Sequence, residues 1–253
     1  MIEIKNAKKT YYSDNNQVQI GPLNITIPKA GITSLIGPNG AGKSTTLLMI
    51  GRLLSMDEGQ IKVANMDVTK SNSEDLAKVL AILRQENHFV TRLTVRQLAG
   101  FGRFPYSKGR LTNEDEAIIS KYIDFLGLTD LENRYLDELS GGQRQRAYVA
   151  MVLCQETDYV LLDEPLNNLD VARSVQMMEH LRDVADEFGK TILTVMHDIN
   201  FASKYSDRIC AMKDGQIVAF GTVEEIMQTE IMTDIFDTKI DIIDCHYGPL
   251  AVF

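Results

Sequence analysis

The run Gly37-Pro38-Asn39-Gly40-Ala41-Gly42-Lys43-Ser44-Thr45 is the stretch best suited to chemistry in this chain. It fits G-x-x-x-x-G-K-[ST], a loop that holds phosphate when it links a strand to a helix. An apolar run at 32–36 precedes it and a helix-forming run at 45–54 follows. In that setting successive backbone N–H groups converge on an anion, and the helix N-terminus adds partial positive charge. Lys43 can reach the outer phosphates, and the Ser44 hydroxyl can ligate Mg²⁺. Glycine serves here because the chain must take strained dihedrals and let phosphate approach closely.

Two further stretches suit the same chemistry. Tyr159-Val160-Leu161-Leu162-Asp163-Glu164-Pro165 is an apolar strand that ends in two carboxylates. Asp163 can hold Mg²⁺, directly or through water, beside a phosphate loop. Glu164, one residue on, can face a water in line with a γ-phosphate and polarise it. Leu139-Ser140-Gly141-Gly142-Gln143 opens a helix. Ser140 is a fitting N-cap, and two glycines bare the N–H groups of the first turn. That is a second anion site, about a hundred residues from the first.

These sites need a core to position them. The 253 residues are 44% hydrophobic and 24% charged, as in an ordinary globular protein. Net charge is −9 and the isoelectric point about 5.0, which argues against nucleic acid as a partner. Cys154, Cys210 and Cys245 are scattered with no C-x-x-C pair, so they read as reduced, buried small hydrophobes rather than zinc ligands. Met1-Ile2-Glu3-Ile4-Lys5 alternates like a strand and lacks a signal-peptide core. No run approaches the roughly 18 apolar residues of a membrane span.

Residues 1–27 alternate at period two and suggest antiparallel strands joined by a polar turn at 13–17. A strand at 59–64, a short helix at 76–80 and a buried strand at 81–83 follow. From about 85 to 157 the pattern turns helical, with helices at 94–102, at 113–126 capped by Thr112, and from Ser140 to about 155. Residues 159–162 and 191–196 read as strands, the second ending at His197. Val171, Val175, Met178, Leu181 and Ala185 recur at helical spacing and read as a core stripe. Asp214-Gly215 marks a hairpin, Thr222 with Glu225 a capping box, and the last fifteen residues a strand pair. Strands alternating with helices indicate a largely parallel α/β core.

The phosphate loop, Leu139–Gln143, the Leu161–Glu164 segment and His197 occur in the order and spacing of ATP-binding cassette (ABC) ATPases, which the chain resembles over roughly residues 2–230. The resemblance implies an α/β P-loop NTPase cassette. Its mixed, largely parallel core sheet would carry an N-terminal antiparallel β subdomain and an inserted helical subdomain. The core and β subdomain would take 1–86 and 158–230, the signature-bearing helices 87–157, and a short extension 231–253. It also implies roles. Gln85 resembles the glutamine that senses Mg²⁺ and the nucleophilic water. His197 resembles the histidine that contacts the γ-phosphate. Asn167-Asn168-Leu169-Asp170 resembles the D-loop, with Asn-Asn where the family has Ser-Ala. Tyr11 or its neighbour Tyr12 matches the aromatic that stacks on adenine. In this family the signature of one subunit closes over ATP held by the phosphate loop of another, so a head-to-tail homodimer is expected, with ATP and Mg²⁺ bound between subunits.

Phe101-Gly102-Arg103-Phe104-Pro105-Tyr106 sits where siderophore and cobalamin importer ATPases carry G-R-x-P, and 163–170 resembles the ferric-siderophore branch. The resemblance therefore implies a peripheral ATPase on the cytoplasmic face of the membrane. It would power iron-siderophore import through a permease received between Gln85 and Tyr106, with an extracellular substrate-binding protein as an indirect partner. ATPases of cobalamin or heme importers, of exporters, and soluble cassettes in cofactor assembly are the alternatives.

Overall fold

A computed structural model describes residues 1–13, 16–84, 92–167, 169–246 and 248–253. The chain opens with β1 (Ile2–Ser13) and β2 (Asn16–Ile27), a long antiparallel pair, and continues into β3 (Gly31–Ile36), the phosphate loop and α1 (Lys43–Ile50). Next, β4 (Glu58–Val63) pairs with the other edge of β1, and β5 (Met66–Asp67) closes this four-stranded antiparallel sheet.

The short helix expected at 76–80 lies earlier, as α2 (Ser73–Ala77), because the Asn72 side chain caps it by accepting from the Glu74 N–H. Then come β6 (Leu80–Leu83), α3 (Val95–Phe101), the single turn α4 (Phe104–Ser107), α5 (Asn113–Phe125) and α6 (Gly141–Cys154). Capping boxes at Thr94, Thr112 and Ser140 set where α3, α5 and α6 begin. The chain continues as β7 (Tyr159–Asp163), α7 (Val171–Glu187), β8 (Thr191–Val195), α8 (Ile199–Tyr205), β9 (Arg208–Lys213), β10 (Gln216–Thr222), α9 (Val223–Ile226), α10 (Thr229–Phe236), and the hairpin β11 (Asp241–Cys245) and β12 (Gly248–Val252).

The central sheet runs β10-β9-β3-β8-β7-β6, parallel except for β10. Both its faces are buried, and successive side chains go to opposite cores. Ile32, Val160, Leu162, Ile192, Ile209 and Ala211 pack with the helices α3 and α5–α8. Leu35, Leu161, Leu193, Val195, Cys210 and Met212 pack with α1 and the antiparallel sheet.

Two expectations need correction. The buried stripe of α7 is Ser174, Met177, Met178, Leu181, Val184 and Ala185, whereas Val171 is 74% exposed. The helix meets the sheet one residue out of phase with the apolar spacing at its start. Cys154 and Cys210 are buried, but Cys245 on the terminal hairpin is exposed.

Candidate functional site

The register of the parallel strands sets the site. Leu35 on β3 and Asp163 on β7 both pair with Val195 on β8. The three strands therefore end level, and Gly37, Glu164 and His197 leave the sheet on one edge. In open α/β sheets this carboxyl edge is where ligands bind.

At the end of β3 the backbone turns through Gly37, Gly40 and Gly42, all with positive φ. At Gly37 a Cβ would stand 2.0 Å from the Met212 carbonyl oxygen, so no other residue fits. No side chain caps α1, and its first turn has no acidic residue, so an anion can meet the N–H groups there. The Lys43 ammonium is buried and donates to the carbonyls of Gly37 (2.7 Å) and Pro38 (2.9 Å), which anchors it to its own loop. Burial lowers its pKa, opposed by the carboxylates of Glu164 and Asp163.

Asp163 is buried at the end of β7, where its Oδ1 accepts from the Ser44 hydroxyl at 2.8 Å. Burial raises its pKa, and the Ser44 bond opposes that rise. A hydroxyl and a carboxylate held together form a hard oxygen pair of the kind that suits Mg²⁺. Among the described residues no group of three or more His, Cys, Asp or Glu could hold a metal by itself. Glu164 takes the left-handed backbone region, φ 51°, which turns its carboxylate off the strand axis. That carboxylate meets the Nε2 of His197 at 2.5 Å, and Asn167 Nδ2 donates to its other oxygen.

Lys43, Ser44 and Glu164 share one cleft with His197, residues 39–42 and 45, and Tyr11, Val18 and Ile20. The Tyr11 hydroxyl lies 3.3 Å from Thr45 Oγ1. Tyr12 alternates to the other face, is 81% exposed and does not line the cleft. The sequence does not single out Val18 or Ile20, and it offers Asn167 for the D-loop but not as a partner of Glu164. Val18 pairs with Tyr11 across the hairpin, and Ile20 packs its methyl groups over Gly42. The hairpin register was the missing information. Asn167 lies three residues beyond Glu164, in a turn where its amide returns to the carboxylate.

Ser140 caps α6 by accepting from the Gln143 N–H, and the Gln143 side chain accepts from the Ser140 N–H. Gly142 is buried against Leu169 and Arg173. The structure does not bring Ser140, Gly141, Gly142 or Gln143 to the phosphate-loop cleft of the same chain. Gln85 and Asn168 lie outside the described residues.

Comparison with known proteins agrees with this geometry. Residues 20–167 match the family described as ABC transporter. The petrobactin import ATP-binding protein FatE of Bacillus anthracis is 81% identical over 253 residues, all of both chains. The petrobactin import ATP-binding protein YclP of Bacillus subtilis (strain 168) is 48% identical over 242 residues, 96% of this chain and 95% of that protein. Among solved structures, a dimeric post-hydrolysis state of the ATP-binding cassette MJ0796 bound to ADP and Pi superposes with a TM-score of 0.79. It is 28% identical and covers 88% of this chain and 99% of that one.

Proposed function

Since this chain belongs to the ABC transporter ATP-binding family, we propose that it is the ATP-hydrolysing subunit of an iron-siderophore importer, with petrobactin, the cargo named for both relatives, as its siderophore. One observation carries the reading. Three parallel strands end level and deliver Lys43, Ser44, Asp163, Glu164 and His197 to one edge, whereas Ser140–Gln143 stands apart with its own bared helix start. A cleft with half of a phosphate site needs a second copy, so the subunit works as a head-to-tail dimer with ATP between protomers.

The roles follow from the chemistry. The loop N–H groups of 37–45 and Lys43 bind the phosphates, and Tyr11 with Val18 forms the platform for the base. Ser44 and Asp163, with Gln85, would hold Mg²⁺, which when bound offsets phosphate charge. Glu164 accepts a proton from the attacking water. His197 and Asn167 orient the Glu164 carboxylate in the resting chain, and His197 is placed to turn to the γ-phosphate. Ser140, Gly141, Gly142 and Gln143 close over the nucleotide of the partner.

We assign 1–86 and 158–230 to the nucleotide-binding core with its β subdomain, 87–157 to the signature-bearing helices and 231–253 to an extension. No described helix is long and apolar enough to cross a membrane, and in this reading the permease is a separate subunit, as the import ATP-binding relatives suggest. It docks between Gln85 and Tyr106, where Phe101, Phe104 and Tyr106 expose apolar surface. The chain then sits peripherally on the cytoplasmic face, and an extracellular binding protein delivers the cargo.

Glu164→Gln tests the reading. Removing the base should leave ATP binding intact and slow turnover by about 10²–10⁴-fold. In a strain lacking this chain, the wild-type protein should restore uptake of the iron–petrobactin complex and the variant should not. Hydrolysis within about threefold of wild type would show that Glu164 is not the base.

A further inference from the structure

We infer that Arg173 is a positioning residue of the signature: it fixes the Ser140 hydroxyl as an outward hydrogen-bond donor toward phosphate held by a second copy of this chain. The inference rests on the head-to-tail reading above and deepens it.

Ser140 Oγ accepts two hydrogen bonds, from the Gln143 N–H at 3.3 Å and from Arg173 Nη1 at 3.2 Å. A serine hydroxyl has two acceptor lone pairs and one hydrogen. With both lone pairs engaged, only its O–H is left to bond, and it can only donate. A donor-only hydroxyl at the start of a 14-residue helix suits an acceptor-rich anion and no cation.

The arginine is placed for this by three further contacts. Its stem lies over Gly142, where a Cβ would stand 2.7 Å from Arg173 Cδ, so the second signature glycine makes room for it. The Asp170 carboxylate caps α7 by accepting from the Arg173 N–H at 2.9 Å and meets Arg173 Nε at 3.2 Å, which turns Nη1 toward Ser140. Nη2 has no partner among the described residues, and the side chain is 48% exposed. The first turn of α6 holds no acidic residue, and Arg144 and Arg146 follow. Arg144, whose Nη2 donates to the Leu139 carbonyl at 3.4 Å, adds a second guanidinium at this helix start in a chain of net charge −9. The competing account is an ordinary exposed Arg–Asp pair, which contributes little and has no bearing on association.

The two accounts separate in ATP-driven dimerisation, measured by light scattering over a concentration series in the Glu164→Gln background. Arg173→Met keeps a stem over Gly142 and removes the donors and the charge. It should raise the dimer dissociation constant at least tenfold, with monomer ATP affinity unchanged, because Arg173 does not line the cleft of its own chain. Arg173→Lys should recover part of the loss, and dimerisation of Arg173→Met should depend less on salt than that of the parent. If Arg173→Met melts early, Arg173→Gln carries the same thresholds. Ser140→Arg is the control. If it blocks dimerisation while Arg173→Met dimerises within about twofold of the parent, the Arg173 inference falls alone. If Ser140→Arg dimerises normally, the shared-site reading falls and the inference with it.

Discussion

Arg103 lies in the G-R-x-P segment, between exposed Phe101 and Phe104, and its own guanidinium is buried. Arg103 and Asp115 side chains are 6% and 5% exposed, with Nε 2.8 Å from Oδ1. Nη1 donates to the Cys154 carbonyl at the end of α6 at 2.8 Å, and the Tyr106 ring covers the guanidinium at 4.2 Å. Arg103 therefore ties the exposed aromatics Phe101 and Phe104 to the C-terminal end of the signature helix. Arg103→Met would leave the buried Asp115 carboxylate without its cation, held only by the Thr112 N–H and hydroxyl, and orphan a helix-end carbonyl. Removing one partner of a buried pair costs about 3–5 kcal/mol. Tyr106 is partly exposed and covers the pair from outside, so the low end, about 3 kcal/mol, applies. At 2–4 °C per kcal/mol for a chain of this size, melting should fall by about 6–12 °C. Asp115→Asn in both backgrounds completes a double-mutant cycle by urea unfolding, with an expected coupling of about 1.5 kcal/mol or more. The pH dependence has a definite sign. The Thr112 backbone N–H, then the Arg103 bond, hold the Asp115 carboxyl below its usual range. Its contribution is therefore fully present above the unfolded value of about 3.9 and is lost as pH falls below it. Arg103→Met should flatten that acid loss. A cost below about 1 kcal/mol with no coupling would refute the structural role and return Arg103 to the docking surface.

Three other substitutions test placements that the structure decided. Tyr11→Ala should weaken ATP binding about 2- to 13-fold, the value of about 0.5–1.5 kcal/mol of ring stacking, and Tyr12→Ala should leave calorimetric titrations within about twofold. The reverse pattern would move the base platform to Tyr12. Asn200 on α8 exchanges two hydrogen bonds with Ala251, at 2.8 and 3.1 Å, and so clamps the terminal hairpin to the helix that follows His197. Asn200→Ala should loosen the hairpin by about 1–3 kcal/mol, read as lost amide protection over 241–252 in hydrogen exchange. Unchanged protection would assign the docking to packing alone.

Much of this protein was legible in the sequence because much of it is local. Positive-φ glycines, the caps at Thr112, Ser140 and Thr222, and the Asp214-Gly215 turn act within a few residues of themselves, so pattern reveals them. The phosphate loop and the Asp163-Glu164 strand end are of the same kind: a strand, a tight turn and a helix start are enough to specify them. From the order of these pieces the family and the need for a second subunit could be expected.

Tertiary structure decided which distant residues meet. The β1–β2 register put Tyr11 rather than Tyr12 on the cleft and added Val18 and Ile20. The phase at which α7 meets the sheet left Val171 in solvent and buried Met177. Packing of α7 against α6 brought Arg173 to Ser140, and packing of α4 on α5 and α6 buried Arg103. Side-chain periodicity along one element does not specify its rotation or register against another. Those are set by the joint burial of both faces, a constraint that exists only once the elements are packed.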